Sequence, residues 1–398
     1  MPLPSPPSAR QIAEVAAGFA VLISCVAIGF AIPLWRGYID LQVYRDGATM
    51  WLDGDLYSVW AHVDGIWLPF TYPPLAAVVF APLTVLSLPV AEAVVFLASI
   101  AALTFTLWLI LRRIAPGMDR YRALAIVLGA AGLSVFLEPV RENLSFGQVN
   151  IVLMAMVTFD TLTRSRRWPR GVLIGVAMAV KLTPAGFLLY FLVKRDWRAL
   201  ATAVTAGIVA TGVGWALAPD DSRRYWLHVV SDTSRIGQPF YATNQSLKGM
   251  LFRLGLSGSA ATVLWLTIGL ACVVLGGIWM RRLFDADDEV SALLVNAVVL
   301  LLISPVSWSH HWVWVAPAIL VFGHAIMTGR VNRGLAWAGG GACVVYAVGA
   351  HLYLPRHHGV ELTWSWWQQI IGNGFALAAL AILIAGATLH RPTRPVGP

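Results

Sequence analysis

The sequence predicts an all-α, polytopic membrane protein. Three observations carry the prediction: 58% of its 398 residues are hydrophobic, only 12% are charged, and mean hydropathy is +0.71. A soluble chain of this length has too little polar surface to cover so much apolar material. The net charge of +8 does not read as a nucleic-acid footprint, because the basic residues fall in short clusters between apolar runs and form no continuous stripe. Cys25, Cys272 and Cys343 lie singly within apolar runs, without the paired spacing of a disulfide framework or a zinc site. No internal repeat and no glycine-rich phosphate loop is present, so nothing points to nucleotide binding.

Residues 1–12 are rich in proline and lead into an apolar run with no small-residue cleavage site, which predicts a cytoplasmic tail and a retained helix. About twelve runs approach the roughly 17 to 25 residues that a hydrocarbon core requires. They lie near 13–34, 90–111, 121–137, 148–163, 170–182, 183–193, 198–217, 258–280, 290–304, 311–328, 334–351 and 367–389. The apolar stretch 74–88 is read as a re-entrant or surface helix, because a crossing there would carry Arg112, Arg113, Arg120 and Arg122 to the outside and invert everything after it. With that choice the short cytoplasmic turns are all basic, including those with Arg164 and Arg166, Lys194 and Arg195, and Arg391 and Arg394. Both termini, including 390–398, are then cytoplasmic. The short runs on either side of Lys181 and Pro184 predict a broken hairpin. The chain is read as a single monomeric membrane domain with extracytoplasmic loops at 35–73 and 218–257, its surroundings membrane lipid.

The polar residues collect on the outer side of this topology. In the first loop, Leu41, Tyr44, Ala48 and Trp51 recur at three- and four-residue steps while Gln42, Arg45, Asp46 and Asp53 take the other face, which predicts an amphipathic interfacial helix with Asp40 at its N-cap. Capping alone would explain that aspartate. Lys181 within the bundle needs an anionic partner, and either a structural ion pair or a lipid phosphate would serve. Glu142, Asn143, Gln148 and Asn150 form a second polar cluster, Asn244-Gln245-Ser246 a third, and the segment from Ser304 to Trp312 with His310 and His311 a fourth. Adjacent histidines do not share a helical face, so they are not read as a metal pair.

Taken in order, Asp40-Leu-Gln-Val-Tyr44, Phe70-Thr-Tyr-Pro-Pro74, Phe146-Gly-Gln-Val-Asn150, Lys181-Leu-Thr-Pro184, Asn244-Gln-Ser246 and Ser304-Pro-Val-Ser-Trp308 with His310 resemble the polyprenyl-phosphate-mannose-dependent α-(1→2)-mannosyltransferases of the actinobacterial envelope. These are integral-membrane glycosyltransferases of the GT-C class, family 87. The resemblance implies an inverting transfer of mannose from polyprenyl-phosphate-mannose to a glycolipid acceptor, a phosphatidylinositol mannoside or a lipomannan or lipoarabinomannan branch. It implies Asp40 as general base with His310 beside it, and Lys181, Arg45 and His311 at the donor phosphate. Tyr44, Glu142, Gln148, Asn244 and Gln245 are assigned to sugar or acceptor, the last three alternatively to loop support. It implies neither metal nor cofactor. The runner-up reading is a polyprenyl-lipid flippase, which would need access from both faces and commonly shows paired repeats.

Overall fold

A computed structural model describes residues 6–58, 60–63, 65–163 and 167–389. The predicted tail 390–398, the first five residues, and Arg164 and Arg166 of a basic turn lie outside the described residues. Among the described residues, five helices are long and apolar enough to cross a membrane: Ala9–Ala31, Leu88–Ile114, Trp197–Leu217, Gly258–Asp285 and Ser309–Met327. Two further pairs, Arg120–Ser134 with Glu138–Phe146 and Trp366–Gly372 with Gly374–Leu389, are bent by 75° and 72° and bring the number to seven if each pair counts as one crossing. The twelve crossings expected from run length are not confirmed by helix length and composition. The other apolar runs form shorter helices, such as Asn150–Leu162 and Glu289–Ile303. Most of Asn150–Leu162 is buried by protein, so its apolar character reflects contact with neighbouring helices.

Small residues let the helices approach. A Cβ at Gly18 would lie 2.4 Å from the Ala125 carbonyl oxygen, and one at Gly132 would lie 2.8 Å from the Leu22 Cα, so the first helix and Arg120–Ser134 pack backbone to backbone. Basic turns from distant parts of the chain also meet. Glu289 accepts from Arg113 at 2.5 Å and from Lys194 at 2.7 Å.

Three local features position the site. The first loop contains the helix Ile39–Asp53, with Leu41, Val43, Tyr44, Gly47 and Ala48 buried. Its N-cap is Tyr38, at φ 43°, so Asp40 is not the cap as the sequence suggested; it is the second helical residue, in the first turn, where the helix dipole favours a carboxylate. A two-stranded antiparallel hairpin follows, Trp60–Val63 against Ile66–Pro69, with His62 opposite Trp67. The segment after Pro73 forms the helix Pro74–Phe80 and the 3-10 turn Ala81–Leu83, ten residues in all and too short to cross. The third feature is the break at Lys181. The helix Val172–Val180 ends there in extended backbone (φ −147°, ψ 130°), and the 3-10 turn Thr183–Phe187, with Pro184 in its first turn, leads to Leu188–Lys194.

Candidate active site

The side chain of Gln148 is the centre of the site, and Gly147 puts it there. The helix Glu138–Phe146 ends at Gly147 in the left-handed region (φ 63°), where a Cβ would also come within 2.8 Å of the Leu41 Cβ. The chain turns sharply and Gln148 faces the first loop. The backbone N–H of Val149 donates to Gln148 Oε1 at 3.0 Å, and because that group can only donate, the oxygen must lie on that side. Tyr44 Oη–H and Lys181 Nζ, the latter at 3.1 Å, donate to the same oxygen. The amide nitrogen then faces the other way and donates to Asp40 Oδ2 at 3.1 Å and to Tyr72 Oη at 3.0 Å.

Asp40 and Lys181 are thus joined through one amide. Lys181 also donates to Asn150 Oδ1 at 2.7 Å and lies 5.3 Å from the centre of the Tyr72 ring. Its two hydrogen bonds go to neutral oxygens, which leaves a third N–H and a full positive charge for a ligand. Asp40 is only partly accessible, and desolvation pushes its carboxyl up to about 6, against the opposing effects of the Lys181 charge and the Gln148 hydrogen bond. A carboxylate with that value is ionised at neutral pH and is a better proton acceptor than an exposed one.

Asp40, Tyr72, Gln148 and Lys181 line a cavity of about 1250 Å³, to which Glu142, His310 and His311 also contribute. Both histidines lie in the 3-10 turn Ser309–Trp314. The His310 carbonyl accepts from Asn150 Nδ2 at 3.1 Å, and its ring meets Phe146 edge-on, while Nε2 is buried without a hydrogen-bond partner. The turn, the Lys181 break and the Gln148 turn are therefore fastened to one another through Asn150.

The family model for glycosyltransferase family 87 matches residues 70–305. The chain is 39% identical over 395 residues to the polyprenol-phosphate-mannose-dependent alpha-(1-2)-phosphatidylinositol mannoside mannosyltransferase of Mycobacterium tuberculosis, covering 94% of this chain and 91% of the relative. The chain belongs to glycosyltransferase family 87. The protein of the same description from Mycolicibacterium smegmatis is also 39% identical, over 88% of this chain and 86% of its own. A third relative, the alpha-(1-2)-phosphatidylinositol pentamannoside mannosyltransferase of that organism, is 33% identical over 96% and 93%. No solved structure matches the chain.

In this glycosyltransferase four of the residues singled out from sequence do not reach the cavity. Arg45 Nη1 donates to the Leu83 and Leu86 carbonyls at 2.9 and 2.8 Å, so its guanidinium ties the helix Ile39–Asp53 to the following turn and is not held toward a phosphate. Tyr44 is buried behind Gln148. Asn244 accepts from the Ser307 and Ser246 N–H groups through Oδ1 and donates to the Pro239 carbonyl. Gln245 donates to the Ala242 and Gly372 carbonyls and accepts from the Phe375 N–H. Backbone groups occupy most of the hydrogen-bonding capacity of both amides, which fits the loop-support alternative. Glu142 does line the cavity, paired with Arg141 at 3.4 Å. Sequence reasoning gave no role to Tyr72 or Asn150, which complete the network; both lie inside quoted motifs, and only the fold shows that those motifs converge.

Proposed function

We propose that this glycosyltransferase is an inverting mannosyltransferase that takes mannose from polyprenyl-phosphate-mannose and adds it to a phosphatidylinositol mannoside as an α-(1→2)-mannoside, on the extracytoplasmic face. One observation carries the reading: a carboxylate and an ammonium bridged by Gln148 at the wall of a large cavity, in a chain similar nearly end to end to enzymes described as doing this chemistry. An acceptor hydroxyl gives its proton to Asp40 while its oxygen attacks the anomeric carbon on the face opposite the phosphate. The anomeric C–O bond to phosphate breaks, and the β-linked sugar becomes an α-mannoside. Polyprenyl phosphate leaves with one more negative charge than the bound donor carried, and the unused Lys181 N–H is within the same network to meet it. His310 lies beside that network with an unpartnered nitrogen and supports the same stage. A second carboxylate to protonate the leaving group is not needed, because a phosphate leaves once its charge is met.

The extracytoplasmic side is supported by the basic short turns on the other side of the expected topology, those with Arg113 and Lys194 meeting at Glu289. A lipid-borne sugar suits that side, where nucleotide sugars are not supplied. The reading is tested with membranes containing the wild-type chain, labelled polyprenyl-phosphate-mannose and phosphatidylinositol mannosides of different length. Label should enter the acceptor glycolipid and be released by an α-(1→2)-specific mannosidase. Absence of transfer from any mannolipid, with label moved across the bilayer instead, would favour a flippase.

A further inference from the structure

Away from Asp40, the cavity wall carries a second cationic group that transfer chemistry does not use. Arg235, in the short 3-10 turn Thr233–Ile236, lines the cavity with its guanidinium 5.7 Å from the centre of the Trp60 ring. Nη2 donates to the Tyr57 carbonyl at 3.0 Å, but Nε is buried with no hydrogen-bond partner. A buried guanidinium N–H left unmade is costly, and turning the side chain so that Nε and a neighbouring Nη meet an oxyanion in the cavity would satisfy it in the two-point geometry arginine favours. Asp232 lines the same stretch and offsets part of the charge.

A second arginine reaches this cavity from another segment. Arg356 is exposed and precedes His357 and His358, two consecutive non-glycine residues at positive φ (77° and 54°). The carboxylate of buried Glu361 holds that turn by accepting from the His357 N–H at 3.0 Å, and also accepts from the Ala242 N–H. Strain of this kind persists only where the surroundings enforce it, and it marks a segment whose placement matters.

We infer that Arg235 and Arg356 form a subsite for the phosphodiester of the acceptor lipid, separate from the Lys181 end that meets the donor phosphate; this rests on the mannosyltransferase reading. Depth argues for the acceptor. A lipid anchored by acyl chains holds its phosphate at the headgroup layer, and Arg235 stands beside a hairpin whose Trp60, Ile66 and Trp67 are exposed, the side-chain types that settle at that layer. Lys181 instead lies at a helix break inside the bundle. A cavity of about 1250 Å³ has room for two ligands, since a single drug-sized ligand occupies roughly 300–1,000 Å³. The donor phosphate is the competing source of the same chemistry.

The test is calorimetric binding to the full-length chain in a maltoside detergent. The probes are dihexanoyl-phosphatidylinositol, the phosphate-free dihexanoylglycerol, and farnesyl phosphate as the donor-like lipid. Wild type should bind the inositol lipid and not the diacylglycerol. Arg235→Gln and Arg356→Gln should each weaken inositol-lipid binding about tenfold or more, and leave farnesyl phosphate unchanged. Lys181→Met should do the reverse. Absence of wild-type binding, equal binding of the phosphate-free lipid, unchanged affinity in both arginine variants, or a loss confined to farnesyl phosphate would each overturn the inference. Should Arg235→Gln fail to elute as a monodisperse species, Arg356→Gln decides alone, since its side chain makes no hydrogen bond within the described residues. Failure of the mannosyltransferase reading is seen separately, as absence of mannose transfer by a wild-type protein whose inositol-lipid binding is intact.

Discussion

Asp40 and Lys181 are held by opposite ends of one side chain, the Gln148 amide donating to the carboxylate and accepting from the ammonium at 3.1 Å each. The two charges form no direct ion pair, so neither is consumed by the other. Asp40→Asn keeps an oxygen for Gln148 but removes the proton acceptor. Turnover with labelled donor should fall about 10²- to 10⁴-fold with the donor KM nearly unchanged; wild-type turnover would remove Asp40 as the base.

The same substitution should stabilise the fold. Asp40 has a folded-state value of about 6, above its ordinary 3.8, so its ionisation opposes folding. That cost is absent below about pH 4, grows between the two values and is complete above 6. At pH 7.5 Asp40→Asn should raise the thermal midpoint, by at most about 3 kcal/mol of stability, and the gain should vanish at pH 4. A gain independent of pH would contradict the burial argument.

Activity should be lost on the acid side, as Asp40 takes up a proton. With saturating acceptor, kcat/KM should fall below about pH 6. Lys181 opposes protonation of Asp40, so Lys181→Met should move that limb to higher pH as well as slow the reaction. A profile that keeps its acid limb in place would show that the two residues are electrostatically independent.

Gly147→Ala puts a Cβ into a left-handed position and within 2.8 Å of Leu41. It should cost about 1–3 kcal/mol and reduce kcat further than a matched substitution on a lipid-facing helix, because Gln148 turns with the backbone. Thermal melts and transfer assays on the same preparation distinguish the two effects.

Asn244→Ala should behave as a folding variant. It leaves the buried Ser307 N–H without its 3.0 Å acceptor and should lower the thermal midpoint by the equivalent of about 1–3 kcal/mol, with the acceptor KM of the surviving protein unchanged. A raised acceptor KM at an unchanged midpoint would restore Asn244 to the sugar site.

Much of this was legible in the chain. Continuous apolar runs located the long helices, and the Pro184 signal with Lys181 located the helix break. The number of crossings was not legible, because run length records apolarity without saying whether lipid or protein supplies the contact, as Asn150–Leu162 shows. The hairpin was missed although Asp64-Gly65 is a turn signal between residues of strand character. Asp40 was expected at the N-cap and is the second helical residue, because no propensity assigns left-handed backbone to Tyr38. Arg45 could not be assigned without knowing that the turn after Phe80 leaves two carbonyls in its reach. The site motifs were visible one by one, but their junction at Gln148 depends on long-range packing.

The Asn244 carboxamide joins its own segment, at Ser246, to Ser307, which lies 63 residues from Asn244. Neither segment can drift alone without stranding a buried backbone N–H. In descent the pair should behave as a single inherited character: lineages that replace Asn244 should also have rebuilt the stretch around Ser307, and a tree that scores the two motifs independently would count one event twice.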